Sequence, residues 1–186
     1  MPGVPAGPQA PPPPQQEAAR PDFESVLKKS SVLLGLANTL ESMIQMVKGA
    51  QFATIFHCRQ PPQMNIRQYL GRLSMYFKCS EECYVLALVY IDRILKWHPG
   101  FQVSVLSAHR VILCALLLAT KFQDDTFYSN RCYARFGGTT LQELNRLELK
   151  MVQVLDYRLT VSPEDFNGYR NVLLKAAGKA EEQTIC

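Results

Sequence analysis

The sequence predicts an all-α protein, and three observations lead to that prediction. Apolar residues recur at three- and four-residue spacing in several segments, which is the period of a helix with one buried face. No segment shows the sustained two-residue alternation of a half-buried strand. Residues 111–119 are apolar on every side, which is typical of a helix inside a core. We therefore expect about six or seven helices, packed around one buried central helix.

The first 21 residues differ from the rest of the chain in composition. They contain eight of the twelve prolines, four of them consecutive at positions 11–14. Such a segment cannot form a helix or a central strand and has little apolar surface to bury, so residues 1–21 are predicted to be a disordered, partly polyproline-like tail. A plain solvated tail and a ligand for a proline-reading domain are both compatible with this composition.

The ordered domain is predicted to span residues 22–178, with a flexible tail at 179–186. An N-terminal helix is expected at residues 22–49, where apolar residues recur with helical spacing up to Gly49. A connector containing Pro61 and Pro62 should follow. The next helix carries one apolar face, made of Ile66, Tyr69, Leu70, Leu73 and Phe77.

Capping residues mark the later helices. Ser80 before two glutamates predicts the start of a helix that ends at residues 98–100, and the central helix is predicted from about residue 103 to 121. A short helix is expected at 130–135, and Thr140 with Glu143 forms a capping-box pattern that opens the next helix. Ser162 and Pro163 predict the start of a C-terminal helix at about 162–177.

Composition restricts the class of protein. The 186 residues are 47% hydrophobic and 19% charged, which fits one globular domain, and the net charge of +4 is not gathered in a basic patch. We therefore expect no nucleic-acid partner. The apolar run at 111–119 is too short to span a membrane. No secretory signal is apparent and the six cysteines show no disulfide framework, so we expect an intracellular protein of the cytoplasm, the nucleus or both.

Signatures of catalysis are missing from the sequence. It contains no glycine-rich phosphate loop, no nucleophile elbow and no paired-histidine metal motif, and its three histidines are scattered. We expect neither an enzyme nor a cofactor. Cys79 and Cys83 lie one helical turn apart, but no CxxC pair accompanies them, so we expect helix packing or surface thiols and not a metal site.

Two charged residues do not fit the apolar pattern around them. Lys121 comes two residues after the apolar run at 111–119. Glu148 falls within the apolar arc of its helix, which is otherwise formed by Leu141, Leu144, Leu147, Met151, Val152, Val154 and Leu155. A buried carboxylate without a partner costs several kcal/mol, so Glu148 should be paired in an internal salt bridge, exposed at an edge, or functional.

Several strings in the chain resemble the cyclin box. They are ALVYIDR at 87–93, LATKF at 118–122 and ELNRLEL at 143–149. Other residues between these strings are similar to the P/U-type, phosphate-regulation cyclins: His109, Arg110, Asp124, Asp125, Tyr128, Asn130 and the string YARFGG at 133–138. The similar strings occur in the same order and spacing, and the resemblance covers about residues 23–169.

The resemblance implies a five-helix box at about residues 62–160 after an extra N-terminal helix. It implies a non-catalytic subunit, monomeric when unbound, that binds and allosterically activates a cyclin-dependent serine/threonine kinase. Lys121 and Glu148 match the main polar anchor on the kinase in this family. Flanking apolar residues, such as Phe122, Leu144 and Met151, are expected to add contact area.

Further residues follow from the same resemblance. Asp92 and Arg93 are expected to be structural, since the matching aspartate in cyclins often pairs with an arginine on the first helix of the box; here an ungapped count puts Gln63 at the arginine position. Asp124 and Asp125 could contact kinase arginines in place of a phosphate. The alternative function is that of a cyclin-fold, transcription-factor-like adaptor for DNA or protein. The identity of the kinase, and a cell-cycle or nutrient-signalling role, stay open.

Overall fold

The structure is a computed structural model that describes residues 22–47 and 53–183. These residues form eight α-helices and no strands, which confirms the all-α prediction. The proline-rich tail predicted at 1–21 lies outside the described residues. The helices, in chain order, are α1 (Phe23–Leu27), α2 (Ser31–Met46), α3 (Ile66–Phe77), α4 (Glu81–Trp97), α5 (Ala108–Gln123), α6 (Asn130–Gly137), α7 (Leu141–Val154) and α8 (Pro163–Gln183).

Helix α5 is the centre of the core. Residues 111–120 are buried without interruption, so this helix touches other elements on all of its sides. It packs against α4, α7 and α3. The five helices α3–α7 therefore form the box that the sequence predicts around a buried central helix. Helix α5 begins at Ala108 and not near residue 103, because Ser107 Oγ accepts a hydrogen bond from Ser104 N at 2.9 Å and forms a turn there.

The N-terminal helix expected at residues 22–49 is two helices, and the prediction of one helix was wrong. Asp22 caps α1, and Ser30 caps α2 by accepting a hydrogen bond from Leu33 N at 3.2 Å. The extended backbone of Ser30 separates the two helices (φ −137°). Apolar spacing continues across this break, so periodicity alone did not show it. Residues 48 and 49 lie outside the described residues.

Helix α8 extends further than predicted. It begins at Pro163 as expected, with Ser162 Oγ accepting a hydrogen bond from Asp165 N at 3.1 Å, but it continues to Gln183 instead of ending near residue 177. Gly178 does not end the helix, because a glycine inside a helix lowers its stability by about 1 kcal/mol without stopping it. The flexible tail predicted from residue 179 is thus helical in its first five residues.

Helix α8 packs most extensively against α2, and it also contacts α4. Gly35 of α2 lies against the main chain of Leu173, which is fully buried. Asn38 supports the same contact by donating its side-chain N–H to the Ala176 carbonyl at 2.9 Å. The C-terminal helix is therefore part of the domain core and covers the outer side of α2.

Candidate functional site

Lys121 and Glu148 lie next to each other at the surface between α5 and α7. Lys121 is in the last turn of α5 and Glu148 is in the middle of α7, and Lys121 Nζ donates to Glu148 Oε1 at 2.6 Å. Their side chains are 28% and 17% exposed, respectively. The two groups are thus paired with each other, and both keep contact with solvent. The arrangement is an ion pair at the edge of the core, accessible to a second protein.

Asn130, the first residue of α6, forms a hydrogen bond to the Glu148 carboxylate of this pair. Its side-chain nitrogen donates to Glu148 Oε2 at 2.7 Å and to Asn145 Oδ1 at 2.7 Å. Both carboxylate oxygens of Glu148 therefore have a donor, and its orientation is fixed from two sides. The Asn130 Oδ1 atom is buried and has no hydrogen-bond partner. Sequence reasoning did not identify Asn130 as part of the site, because its only signal was a place in the family resemblance.

The apolar residues around the pair differ from those expected. Leu144 and Met151 are fully buried, so the expectation that they contribute contact surface was wrong. They lie on the side of α7 that faces the core, where a helix buries its apolar stripe. Phe122, beside Lys121, is 50% exposed. Other exposed apolar side chains on α7 or near the end of α5 are Phe127, Leu141 and Leu149.

The two aspartates after α5 have different surroundings. Asp124 is half-buried and accepts two hydrogen bonds from Ser80, from the hydroxyl at 2.5 Å and from the main-chain N–H at 3.1 Å. Ser80 therefore does not cap α4 with its own side chain, contrary to the sequence pattern. Asp124 therefore links the end of α5 to the start of α4, and its carboxylate is occupied by hydrogen bonds within the chain. Asp125 is exposed.

Asp92 and Arg93 both bind segments that follow α7. Arg93 donates to the carbonyl oxygens of Arg158 at 2.7 Å and Thr160 at 3.0 Å. Asp92 accepts a short hydrogen bond from the Tyr169 hydroxyl and pairs with Lys96 at 2.7 Å. Burial, with the neighbouring Asp92 carboxylate, raises the pKa of Tyr169. Both residues therefore make structural contacts, with partners beyond the fifth helix of the box.

Neither arginine of α3 pairs with Asp92. Arg67 instead pairs with Glu24 at 2.8 Å and with Glu41 at 3.3 Å. Arg72 donates to the carbonyl of Arg135 at 3.3 Å. Arg67 thus joins α3 to α1 and α2, while Tyr169 of α8 occupies the position beside Asp92.

The described residues contain neither a membrane-spanning helix nor a group of side chains suited to a metal ion. None of the helices in residues 22–47 and 53–183 combines the length and hydrophobicity that crossing a lipid bilayer requires. Within the same ranges, no three histidine, cysteine or acidic side chains are grouped closely enough to hold a metal ion.

Comparison with known proteins agrees with this architecture. The cyclin family model matches residues 17–159. The chain is 38% identical over 154 residues to Cyclin-U1-1 of Arabidopsis thaliana, which covers 82% of this chain and 72% of the relative. It is 40% identical over 129 residues to Cyclin-P3-1 of Oryza sativa subsp. japonica, with 69% of this chain and 54% of the relative covered. It is 34% identical over 146 residues to Cyclin-U4-1 of Arabidopsis thaliana, with 78% of this chain and 72% of the relative covered. The chain belongs to the cyclin family and is a cyclin of the P/U type.

Proposed function

We propose that the chain is a non-catalytic regulatory subunit that binds and allosterically activates a cyclin-dependent serine/threonine kinase. Membership of the cyclin family supports a kinase as the partner in general. The single observation that carries the proposal for this chain is the Lys121–Glu148 pair, an ammonium and a carboxylate held together at an accessible edge of the box.

The pair can bind a main chain without breaking its own salt bridge. The Lys121 ammonium has three N–H donors and uses one for Glu148, so the others can donate to carbonyl oxygens of the kinase. The Glu148 carboxylate has lone pairs beyond those used by Lys121 and Asn130, and it can accept from kinase N–H groups. Recognition of main-chain groups depends little on the side chains of the partner, which suits a contact with a whole class of kinases.

Apolar side chains near the pair would strengthen this contact. Phe122 follows Lys121, and Leu149 follows Glu148; both are at least half exposed. When a partner covers them, they exclude water from the charged groups, and hydrogen bonds to charged groups are stronger when water is excluded. Leu144 and Met151 contribute indirectly, since they hold α7 against the core.

Activation would be allosteric. A kinase of this class needs the ion pair between its β3 lysine and its αC glutamate, and a mobile αC helix disrupts that pair. A cyclin bound through Lys121 and Glu148 would hold αC inward and so complete the kinase site. We assign a further contact, with arginines near the kinase activation loop, to Asp125 alone, because Asp125 is exposed while Asp124 is engaged with Ser80.

Binding assays with single variants test the proposal. Lys121→Ala and Glu148→Ala should each weaken kinase binding by about 2 kcal/mol, or about 30-fold in Kd, which is a typical hot-spot loss. Each should change the free energy of unfolding by no more than about 1 kcal/mol, as expected for a partly exposed ion pair. Lys150→Ala, at an exposed position of α7, is the matched control and should change neither the kinase affinity nor the free energy of unfolding. Titration with purified kinase measures the affinity, and urea unfolding measures the free energy of unfolding.

The opposite pattern of results would support a purely structural role. If the two alanine variants lost stability strongly while kinase affinity stayed unchanged, the pair would be an internal salt bridge without a binding function. Activation is measured separately, as peptide phosphorylation by the kinase with and without the chain. We also propose that the unbound chain is monomeric and intracellular, in the cytoplasm, the nucleus or both; light scattering and imaging of a tagged chain test these two points.

A further inference from the structure

An open groove lies where the C-terminal ends of α4 and α7 meet, and the proposed kinase contact uses none of its residues. Its volume is about 350 Å³, and it is lined by Trp97, His98, Gln153, Val154, Asp156 and Arg158. His98 Nε2, just after α4, donates to the carbonyl oxygen of Val154, the last residue of α7, at 3.0 Å. This hydrogen bond fixes the two walls of the groove relative to each other.

Two exposed aromatic side chains accompany the groove. Trp97 is 41% exposed, and the Arg158 guanidinium lies 5.8 Å from the centre of its ring. Tyr157 is 68% exposed and has a left-handed backbone (φ 59°), as has Asp156 before it (φ 49°). Bulky residues rarely adopt this conformation, and residues that do so are concentrated at binding sites. Exposed tryptophan and tyrosine rings beside a groove are the surface that receives proline-rich segments in the polyproline II conformation.

The chain itself contains a segment of this chemistry before the first helix. Prolines occur at every third position from residue 2 to residue 14, and we call these five residues the proline stripe: Pro2, Pro5, Pro8, Pro11 and Pro14. A polyproline II helix has three residues per turn, so in that conformation the five rings would share one side. Residues 1–16 carry no charged side chain, so contact with an aromatic surface would not require the desolvation of a charge.

We propose that the proline stripe docks in the groove at Trp97 of the same chain. A domain of this size has a diameter of about 40 Å. An extended chain spans about 3.3 Å per residue, so Pro8, which precedes Asp22 by 14 residues, can lie up to about 46 Å from Asp22. The stripe can therefore reach the groove from any point on the domain surface. Because the tail is tethered, its effective concentration at the groove is about 1 mM, and a weak contact with a Kd near that value is enough for docking.

Quenching of tryptophan fluorescence by acrylamide tests the proposal on the full chain. Trp97 is the only tryptophan in the sequence, so its emission reports on the groove alone. The stripe variant combines three substitutions: Pro8→Ala, Pro11→Ala and Pro14→Ala. It should be quenched about twice as strongly as the wild type, because a tail whose Kd equals its effective concentration covers the ring half of the time. Equal quenching of the wild type and the stripe variant would overturn the proposal.

The matched control removes the same number of prolines from positions outside the stripe. It combines Pro12→Ala, Pro13→Ala and Pro21→Ala, and it should be quenched like the wild type. If the control variant were quenched as strongly as the stripe variant, the spacing of the prolines would be irrelevant and the proposal would be wrong. Quenching of the wild type should also be independent of chain concentration. Protection that increases with concentration would place the tail in the groove of a second copy and exclude docking within one chain.

A substitution in the domain tests the groove from the other side. Tyr157→Gly removes the exposed ring, and glycine adopts the left-handed backbone of this position readily, so the fold should be retained. The substitution should increase the quenching of Trp97 in the wild-type background and leave it unchanged in the stripe variant. An increase of the same size in both backgrounds would mean that the Tyr157 ring shields Trp97 directly, and docking of the tail against Tyr157 would be refuted.

A synthetic peptide of residues 1–16 supplies the tail as a separate molecule. It contains no aromatic residue and adds no emission of its own. Added to the stripe variant at concentrations above about 1 mM, it should restore the protection of Trp97, whereas a peptide of the same composition without the three-residue spacing should not. The proposal fails if the two peptides have equal effects. None of these measurements involves a kinase, so their outcome is independent of the proposed regulatory function.

Discussion

The contact between α2 and α8 allows one substitution to be worked out in detail. A Cβ added at Gly35 would lie 2.6 Å from the Leu173 carbonyl carbon and 2.9 Å from its Cα, and closer still to the carbonyl oxygen. Carbon atoms pack at about 3.5–4 Å, so the Gly35→Ala variant must move the backbone of α8 outward by roughly 1 Å. A gap of that size removes a quarter to a half of the dispersion energy of the contacts that it opens.

The net effect on stability follows from two opposing terms. Overpacking against a rigid backbone costs about 3 kcal/mol, while replacing a helical glycine by alanine contributes about 1 kcal/mol in the other direction. We therefore expect Gly35→Ala to lower the free energy of unfolding by about 2 kcal/mol. For a chain of this size that corresponds to a Tm lower by about 4–8 °C. Urea and thermal unfolding followed by circular dichroism measure both quantities.

Gly168 of α8 provides the matched control. It is an exposed helical glycine, and a Cβ added there would meet nothing within 4 Å. Gly168→Ala should therefore show only the gain in helix propensity, about 0.5–1 kcal/mol of added stability. If Gly35→Ala were as stable as the Gly168→Ala variant, α8 could not lie against α2 as described, and the assignment of the C-terminal helix to the core would be wrong.

Three further substitutions have defined outcomes. The His109 imidazole donates from Nε2 to the Met64 carbonyl at 2.7 Å, and its buried Nδ1 has no partner, so burial lowers the pKa of His109 from 6.5. As pH falls below 6.5, the unfolded chain consequently binds more protons than the folded chain, and the folded state loses stability. In urea titrations between about pH 7 and pH 5.5, the wild type should therefore lose more free energy of unfolding than His109→Gln. Equal losses in the two proteins would contradict this. Arg93→Met should lower the free energy of unfolding by about 1 kcal/mol, because two main-chain carbonyls lose their donor, and an unchanged urea midpoint would contradict the assigned role. Asn130→Ala should weaken kinase binding by about 1 kcal/mol, measured by titration, because Glu148 loses the donor that orients it; unchanged affinity would show that this orientation is unimportant.

Local sequence signals predicted most of the helices and singled out the two residues of one ion pair. The apolar run at 111–119 predicted the buried helix, and the misfit of Glu148 in its apolar arc identified a residue that the structure pairs with Lys121. Such signals succeed because helical periodicity and capping involve residues only a few positions apart. The capping pattern at Thr140 was confirmed for its hydroxyl, which accepts a hydrogen bond from Glu143 N at 3.1 Å.

The predictions that went wrong concerned contacts between distant parts of the chain. Leu144 and Met151 share the apolar arc of α7 with Glu148, and the arc does not reveal which part faces the core and which part faces a partner. Tyr169 reaches Asp92 across 77 positions in the chain, and no local pattern links the two residues. The same applies to the Ser80–Asp124 contact, which replaced the side-chain cap that local sequence predicted.

The segment between α7 and α8 is held through its main chain by side chains of α4. Tyr90 and Arg93, both on α4, donate to three successive carbonyl oxygens, those of Arg158, Leu159 and Thr160. Every amino acid carries a carbonyl oxygen, so this attachment makes no demand on the identity of the linker residues. A saturation library at the exposed positions 158 and 160 should accordingly tolerate broad replacement. Replacement should be restricted at position 93, and also at Leu159, whose side chain packs against the core. The hydrogen bonds that direct α8 to the core are thus encoded in α4, and the exposed positions of the linker are free to diverge.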